Sequence, residues 1–284
     1  MKKLKQIITQ IRTEQNTPTQ LNDLLWQFIC YPPKMLLRLN QEQLLNEAEK
    51  FTLSVNDEYF AKHDLRFNGF KWGNGTRKVL ITHGWGSKAA DFADIILALR
   101  QIDNLQIIAF DAPGNGSSEG DLSNLLLFIE AVKAIITNYG NPDILIGHSL
   151  GAMANIIAMV ENKIEPSVLI SIAPLIRLKE NFENSMTKIE ILPNDQAEFL
   201  KSFEQKFNKP ASFYNLNDWY TDNPQLKHWL AYDRNDQVST YDYLKEFLDI
   251  HPSINSQVFD DAGHDKIIKS PELISAIVNV ASIN

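Results

Sequence analysis

The sequence contains one cysteine, no long apolar run and no excess of positive charge. Because Cys30 has no second cysteine to pair with, an internal disulfide is impossible, which is typical of a reducing compartment. We expect Cys30 to be a small buried hydrophobic residue rather than a nucleophile. No stretch of 18 apolar residues is present, and polar residues interrupt the first ten positions, so neither an integral membrane segment nor a signal peptide is expected. These features together predict a cytoplasmic protein.

Acidic residues outnumber basic ones by 35 to 27, which gives a formal net charge of -8. Proteins that bind nucleic acid neutralise phosphates with clustered Lys and Arg, and the chain has no such cluster interleaved with aromatic residues. Nucleic acid is therefore not an expected partner. The apolar share of 44% is ordinary for a folded domain. The oligomeric state stays open at this point.

The most informative motif is residues 147–151, Gly-His-Ser-Leu-Gly. The apolar run at 144–146 precedes it, and a stretch of small and apolar residues at 152–158 follows it. Strand, sharp turn and helix in this order are the context of a nucleophile elbow, in which a serine hydroxyl is exposed at the tip of a sheet. A side chain at either glycine would collide with the neighbouring strand or helix. We therefore predict that Ser149 is a nucleophile and that His148 borders its pocket.

A serine hydroxyl needs a base that removes its proton and an acid that orients the base. In this arrangement the chain order is Ser, then acid, then His, and three histidines follow Ser149. His228 enters an apolar strand and His251 precedes a proline in a connection. His264 instead lies in a loop directly after the last predicted strand, where strand ends deliver side chains to a site. It is the predicted base.

Two aspartates follow the strand predicted at 227–232. Asp233 ends the strand itself, whereas Asp236 lies three residues further on, in a turn from which a carboxylate can reach the imidazole Nδ1. We prefer Asp236 as the acid and keep Asp233 as the alternative.

An oxyanion intermediate needs two N–H donors that are aimed at it in advance. The backbone N–H of Leu150 is one candidate, because it lies at the start of the helix after the serine, where the helix dipole favours negative charge. We assign the second donor to the N–H of Trp85, in the glycine-flanked loop of residues 83–87. His83 precedes the serine and is expected to brace this loop by hydrogen bonds.

From about Gly69 onward, short apolar runs alternate with helical patterns, which indicates a mostly parallel sheet. A stretch at about 175–226 is too long for a simple crossover and is predicted to lie over the carboxyl ends of the strands, where ligands bind in such sheets. Its Phe213, Trp219 and Tyr220 are candidate pocket residues. Packing of these rings onto the body of the domain is an equal alternative.

Residues 1–65 show apolar residues at helical spacing, with Pro32 and Pro33 between two helical stretches. We predict that this segment is an N-terminal helical arm packed on the core, and an arm that binds a partner stays open as the alternative. Residues 66–284 then form one α/β domain that contains the insertion.

The elbow, the His-Gly-Trp loop, the Asp-Ala-Pro-Gly-Asn-Gly turn at 111–116, Asp236 and the Gly-His pair at 263–264 occur in the order seen in the α/β-hydrolase superfamily. Over residues 69–281 the chain resembles this superfamily, and within it bacterial serine hydrolases of the esterase, lipase and thioesterase kind. The resemblance implies an eight-stranded, mostly parallel sheet with helices on both faces. It also implies a helical cap between strands six and seven, and no cofactor. No residue is predicted to bind a metal.

The sequence therefore predicts hydrolysis of a small to medium acyl ester or thioester through an acyl-enzyme intermediate, with a small acyl compound as the binding partner. A serine at position 149 instead of Asp argues against the dehalogenase and epoxide hydrolase branches. Two alternatives stay open. One is acyl transfer or C–C bond hydrolysis by the same triad, and the other is a protein of this fold that binds a ligand without turnover.

Overall fold

The computed structural model describes residues 2–13 and 15–282. The strands of this part of the chain are β1 (Glu49–Asp57), β2 (His63–Trp72), β3 (Arg77–Thr82), β4 (Leu105–Phe110), β5 (Ile144–His148), β6 (Val168–Ile172), β7 (Lys227–Tyr232) and β8 (Asn255–Val258). Its α-helices are α1 (Lys2–Thr13), α2 (Pro18–Cys30), α3 (Leu39–Asn46), α4 (Ala93–Leu99), α5 (Leu125–Tyr139), α6 (Leu150–Glu161), α7 (Leu178–Lys188), α8 (Pro193–Phe207), α9 (Leu216–Trp219), α10 (Tyr241–Ile250) and α11 (Pro271–Ser282).

The strands form one sheet in the order β1-β2-β4-β3-β5-β6-β7-β8. β1 and β2 are antiparallel, β2 runs antiparallel to β4, and all remaining neighbours are parallel. Helices α7 to α9 lie between β6 and β7 in the chain. This architecture confirms the predicted fold class, a mostly parallel eight-stranded sheet with a helical insertion between the sixth and seventh strands.

The central strands are almost continuously apolar because both faces of the sheet are covered. Successive side chains point to opposite faces, so Leu80 and Leu145 enter one core whereas Val79, Ile81 and Ile144 enter the other. Residues of α5 and α6 pack into the first core, and residues of α4 and α11 pack into the second. Helices therefore lie on both faces of the sheet, as predicted.

The N-terminal helices contact both the body and the insertion. Trp26 of α2 has its ring centroid 4.8 Å from that of Phe199 and 6.0 Å from that of Phe203, both on α8. α3 packs on the opposite core, where the indole Nε1 of Trp72 donates to the carbonyl oxygen of Leu44 at 3.1 Å. Helices α1 and α2 and the insertion thus share one side of the sheet.

The predicted boundary of the helical arm at residue 65 is wrong, because β1 and the start of β2 belong to the sheet. The error has a physical reason. β1 is an edge strand in which Phe51, Leu53 and Val55 alternate with exposed polar residues, but its first apolar residue also continues the helical spacing that precedes it. The positions of Leu44, Leu45 and Phe51 fit a helical stripe, although Phe51 lies on the strand.

Candidate active site

Ser149 lies in the sharp turn between β5 and α6, with φ 53° and ψ -122°. A φ of this sign is costly for a residue with a Cβ and persists only where the surroundings impose it. A Cβ on Gly147 would lie 2.5 Å from Cα of Ala152, and one on Gly151 would lie 2.3 Å from the carbonyl oxygen of His83. Both glycines are thus required for strand, turn and helix to pack this closely, and the turn places the Ser149 hydroxyl at the end of the sheet.

His264 connects Ser149 to Asp236. Its Nε2 lies 2.8 Å from Oγ of Ser149, and its Nδ1 lies 2.7 Å from Oδ2 of Asp236. Since a carboxylate only accepts hydrogen bonds, Nδ1 carries the proton and donates to Asp236, which leaves Nε2 free to accept from the serine hydroxyl. The structure therefore brings the three predicted side chains together in the arrangement that activates a serine.

Asp236 is held in its charged form by its surroundings. Burial by itself raises the pKa of this carboxyl group, but the hydrogen bond from His264 and two backbone N–H groups outweigh burial and leave the pKa below its ordinary value. The two N–H groups belong to Val238 and Ser239 and donate to Oδ1 at 2.7 and 3.0 Å. Oδ2 is therefore fixed toward the imidazole.

Asp233, the alternative acid, has a different position. Its Oδ2 accepts from the backbone N–H of Gly263 at 2.6 Å, and its Oδ1 accepts from that of Asn235 at 2.8 Å. It thereby joins the loop that carries His264 to the loop that carries Asp236. Asp233 holds the loops in place, whereas Asp236 contacts the imidazole.

The loop that carries Trp85 is braced from two sides. His83 accepts at Nε2 from the backbone N–H of Ala112 at 2.9 Å, and its Nδ1 donates to the carbonyl oxygen of Gly84 at 2.6 Å. Burial lowers the pKa of His83, so the neutral ring that this pair of bonds needs is favoured. Asn115 Oδ1 accepts from the N–H of Gly86 at 3.1 Å, a bracing contact that the sequence did not indicate.

The backbone N–H groups of Trp85 and Leu150 have no hydrogen-bond acceptor among residues 2–13 and 15–282. Leu150 begins α6, where the first N–H groups of a helix have no partner within it. Gly84 approaches Ser149 so closely that a Cβ on Gly84 would lie 3.1 Å from the serine Cβ. Trp85 and Leu150 also line the same cavity as Ser149, so both donors assigned from the sequence are available at this cavity.

His148 borders the cavity over the serine and contacts the backbone of His264. Its Nε2 lies 2.9 Å from the carbonyl oxygen of His264, so Nε2 must carry the proton and donate. Burial, followed by the charge of His264, lowers the pKa of His148 to about 3. The neutral ring therefore fixes the backbone at His264 without adding charge to the site.

The free energy of unfolding should decrease as the pH falls below 6.5, because His148 and His228 are buried as neutral rings. Burial lowers the pKa of each to about 3, whereas in the unfolded chain each histidine binds a proton near pH 6.5. The unfolded state then binds more protons than the native state, and we expect a loss of about 2 kcal/mol per histidine between pH 7.5 and 5. Urea denaturation at the two pH values measures this loss.

The matched control is His228→Gln, since His228 bonds to Oγ of Ser171 at 2.9 Å outside the site. This variant should lose about 2 kcal/mol less than the wild type over the same pH change. An identical loss in both proteins would contradict the assignment of the acid sensitivity to the buried rings.

A cavity of about 360 Å³ opens over Ser149 and His264. Apolar side chains line most of it. α2 and the segment after it contribute Phe28, Ile29 and Tyr31, and the insertion contributes Phe182 and Phe203. No Lys or Arg is among the lining residues of the described chain. The cavity thus presents an apolar wall opposite the polar Ser-His pair.

Phe213, Trp219 and Tyr220 do not line this cavity, so their prediction as pocket residues is wrong. The indole Nε1 of Trp219 donates to the carbonyl oxygen of Phe213 at 3.0 Å, and the two rings pack edge to face. Tyr220 is buried with its ring 4.9 Å from those of His228 and His251. Tyr220 therefore packs the insertion onto the body, which was the alternative interpretation of the sequence, whereas Phe213 and Trp219 pack on each other within the insertion.

Most of the side chains that do line the cavity were not predicted from the sequence. On the insertion the signal was Phe199, Phe203 and Phe207, whose i, i+4, i+8 spacing defines one buried face of α8. Phe28 belongs to the apolar stripe of α2. Helical spacing shows that such a face is buried but not what it is buried against, so the contribution of the N-terminal helices was not predictable.

One group of described residues brings three metal-ligating atoms within 4.8 Å of one another, namely His148, His264 and Asp265. His264 is already bonded to Asp236 and Ser149. A cation bound by this group would therefore compete with the contact between the base and the serine.

The alpha/beta hydrolase family model matches residues 79–276, and the chain belongs to this family. Monoglyceride lipase of Rattus norvegicus is 33% identical over 113 residues, which cover 36% of this chain and 37% of the lipase. The match thus spans little more than a third of the length of that relative.

Solved structures extend the similarity of fold over most of the chain. An esterase from Pyrococcus furiosus aligns with a TM-score of 0.61 at 20% identity, covering 88% of this chain and 96% of the esterase. A thermophilic esterase from Thermogutta terrifontis aligns with a TM-score of 0.54 at 16% identity, covering 80% and 97%. The protein therefore has the fold of the family as well as its sequence signature. No helix of the described chain is long and apolar enough to cross a membrane.

Proposed function

We propose that the protein is a serine hydrolase that cleaves a small to medium acyl ester or thioester through an acyl-enzyme intermediate. The observation that carries this proposal is the chain of hydrogen bonds from Asp236 through His264 to Ser149, at 2.7 and 2.8 Å, at the floor of an apolar cavity. A protein that only bound a ligand would not need a serine hydrogen-bonded to a histidine that an aspartate orients.

In the first half of the proposed reaction, Oγ of Ser149 attacks the acyl carbon and its proton passes to Nε2 of His264. The carbonyl electrons move to the acyl oxygen, and the N–H groups of Trp85 and Leu150 donate to the oxyanion. The bond to the leaving alcohol or thiol then breaks, and His264 returns the proton to the leaving group.

In the second half, water attacks the acyl-enzyme while His264 accepts a proton from it. A second oxyanion forms at the same two donors, the bond between the acyl carbon and Ser149 Oγ breaks, and His264 returns the proton to the serine. The charged Asp236 stabilises the imidazolium in both halves. No cofactor is needed for any of these steps, because the proton moves only between the serine, the histidine, the leaving group and water.

The cavity favours an uncharged acyl chain of limited length. Its volume of about 360 Å³ lies at the lower end of the range of small-molecule sites. No cation among the lining residues would pair with a carboxylate or a phosphate on the acyl group. Burial of each methylene against the apolar wall contributes about 0.8 kcal/mol, so the rate should rise with chain length until the cavity is full.

The experiment that tests this function is a series of p-nitrophenyl esters and matched thioesters, from acetyl to lauroyl, with wild-type protein and Ser149→Ala. We expect an initial burst of product that is stoichiometric with protein, then turnover, and neither in the variant. Turnover that requires an added alcohol or amine would instead identify an acyltransferase. Saturable binding of the esters without any burst would refute catalysis.

Chain-length preference should depend on Phe182, which lines the cavity. Phe182→Ala enlarges the cavity, so we expect the ratio of kcat/KM for the lauroyl ester to that for the butyryl ester to rise about tenfold. Phe213→Ala is the matched control, because Phe213 is also an insertion phenylalanine but lies outside the cavity and is 38% exposed. Equal changes in the two variants would contradict the assignment of this cavity to the acyl chain.

We propose the cytoplasm as the location of this hydrolase. The support is Cys30, which is the only cysteine of the chain and is a free, buried thiol. Burial raises the pKa of this thiol, so the reactive thiolate is disfavoured and the cysteine behaves as a packing residue.

A further inference from the structure

The segment that follows α2 exposes a run of large apolar side chains. Residues 34–39, here called the apolar segment, read Lys-Met-Leu-Leu-Arg-Leu. Met35 is 57% exposed, Leu36 is 94% exposed and Leu39 is 71% exposed. Exposed apolar residues are unremarkable when they are scattered singly, but adjacent ones mark an interaction site. The exposed members of the apolar segment are close neighbours in the chain, which makes the segment a candidate interaction site.

The apolar segment directly adjoins the candidate active site. Tyr31 and Pro33, which immediately precede it, line the cavity over Ser149. Pro33 also lies against the loop that carries Trp85, since a Cβ on Gly86 would be 3.4 Å from Cδ of Pro33. Nζ of Lys34 donates to the carbonyl oxygen of Ser118 at 2.9 Å and attaches the segment to the body. Whatever binds the apolar segment is therefore brought next to the cavity.

Positive charge surrounds the apolar segment although the whole chain carries a net charge of -8. Lys34 and Arg38 flank the exposed side chains. The first turns of α1 add three lysines. The start of this helix lies near the apolar segment, because Leu4 lines the cavity and Nζ of Lys3 lies 4.7 Å from the ring centroid of Tyr31. The cationic residues of this region are Lys2, Lys3, Lys5, Lys34 and Arg38. Acidic neighbours include Asp121, 4.0 Å from Lys3, Glu42 on α3, and the exposed Asp265, which lines the same cavity as Leu4.

We propose that the apolar segment and the first turns of α1 dock onto an anionic lipid surface. Met35, Leu36 and Leu39 would enter the boundary between headgroups and acyl chains, and Lys2, Lys5 and Arg38 would contact anionic headgroups. Three exposed side chains offer far less area than the roughly 1,200 Å² that a stable protein interface buries, whereas apolar residues with basic neighbours suit a lipid surface. Docking in this way brings the apolar cavity to the phase in which acyl lipids dissolve.

Sedimentation with vesicles tests the proposal without any need for turnover. Wild-type protein should partition at least about tenfold more strongly onto vesicles of phosphatidylcholine with phosphatidylglycerol than onto phosphatidylcholine alone, and salt should weaken the difference. The triple variant Met35→Ser, Leu36→Ser, Leu39→Ser should lose at least about tenfold of the binding to the anionic vesicles. The matched control Leu97→Ser, Leu192→Ser, Ile250→Ser changes three exposed apolar residues elsewhere and should bind as the wild type does.

A charge variant, Lys2→Gln, Lys5→Gln, Arg38→Gln, should lose the preference for anionic vesicles. The proposal is overturned if the wild type does not bind, or if the triple serine variant binds as well as the wild type. It is also overturned if the serine variant changes a dimer into a monomer while neither protein binds vesicles, because the apolar segment would then cover a second copy of the chain.

The docking proposal and the proposed function can be refuted independently of each other. The triple serine variant should hydrolyse a water-soluble short-chain ester at the wild-type rate, because none of its changed residues lines the cavity. Vesicle binding without any hydrolysis would refute the proposed function and leave the docking surface standing. Hydrolysis without vesicle binding would refute the docking surface and leave the proposed function standing.

Discussion

The Ser149→Ala variant should hydrolyse its best ester substrate with a kcat about 10⁶-fold below that of the wild type. The variant lacks the only atom of the site that bonds to the acyl carbon, so no acyl-enzyme forms and the burst disappears. Residual hydrolysis would come from water attacking a substrate held by the two N–H donors. Steady-state kinetics over the ester series measures the loss.

The fold of this variant should be preserved. Ser149 is only 6% exposed, and alanine removes its hydroxyl without adding an atom. We expect alanine to adopt the same backbone conformation, because the close packing at Gly147 and Gly151 imposes the turn. Circular dichroism and the urea midpoint serve as controls. A folded variant that retains wild-type kcat would contradict the role of Ser149.

The Asp236→Asn variant should lower kcat about 10⁴-fold. An amide in place of Oδ2 would present N–H groups to Nδ1 and favour the tautomer that carries its proton on Nε2. That tautomer cannot accept the proton of Ser149. The variant keeps the shape of the side chain, so KM should change little. The measurement is kcat across the pH range in which the wild type is active.

Asp233→Asn is the matched control, because it makes the same chemical change three residues away. Asp233 accepts two backbone N–H groups and does not contact His264. Asp233→Asn weakens the contact between the two loops, and we expect it to lower kcat only about tenfold, far less than Asp236→Asn does. The opposite ranking of the two variants would identify Asp233 as the acid.

The chemistry of the site was predictable from sequence because its signals are local. The turn around Ser149 needs two glycines, and a strand and a helix at fixed places, all within one short stretch. His264 could be selected by its place after the last strand. Asp236 was preferred to Asp233 because of its place in the turn, and the structure agrees with that preference, since the carboxylate of Asp236 contacts the imidazole whereas that of Asp233 accepts from Gly263.

The cavity was not predictable in the same way because it depends on how helices dock. Phe213 and Phe182 both lie in the insertion, and nothing in their local sequence shows that only Phe182 faces Ser149. That choice follows from the packing of Trp26 of α2 against α8, across about 170 residues of chain. β1 was missed because Phe51 also fits the helical spacing of Leu44 and Leu45, although the strand itself alternates between apolar and exposed polar residues.

Labelling with a fluorophosphonate, followed by peptide mass spectrometry, tests the central claim most directly. The probe reacts only with a serine that a neighbouring base has activated, and it requires no knowledge of the substrate. The account predicts one adduct per chain, located on Ser149, and no adduct in the folded Ser149→Ala variant. An adduct on another residue, or equal labelling of the variant, would contradict it.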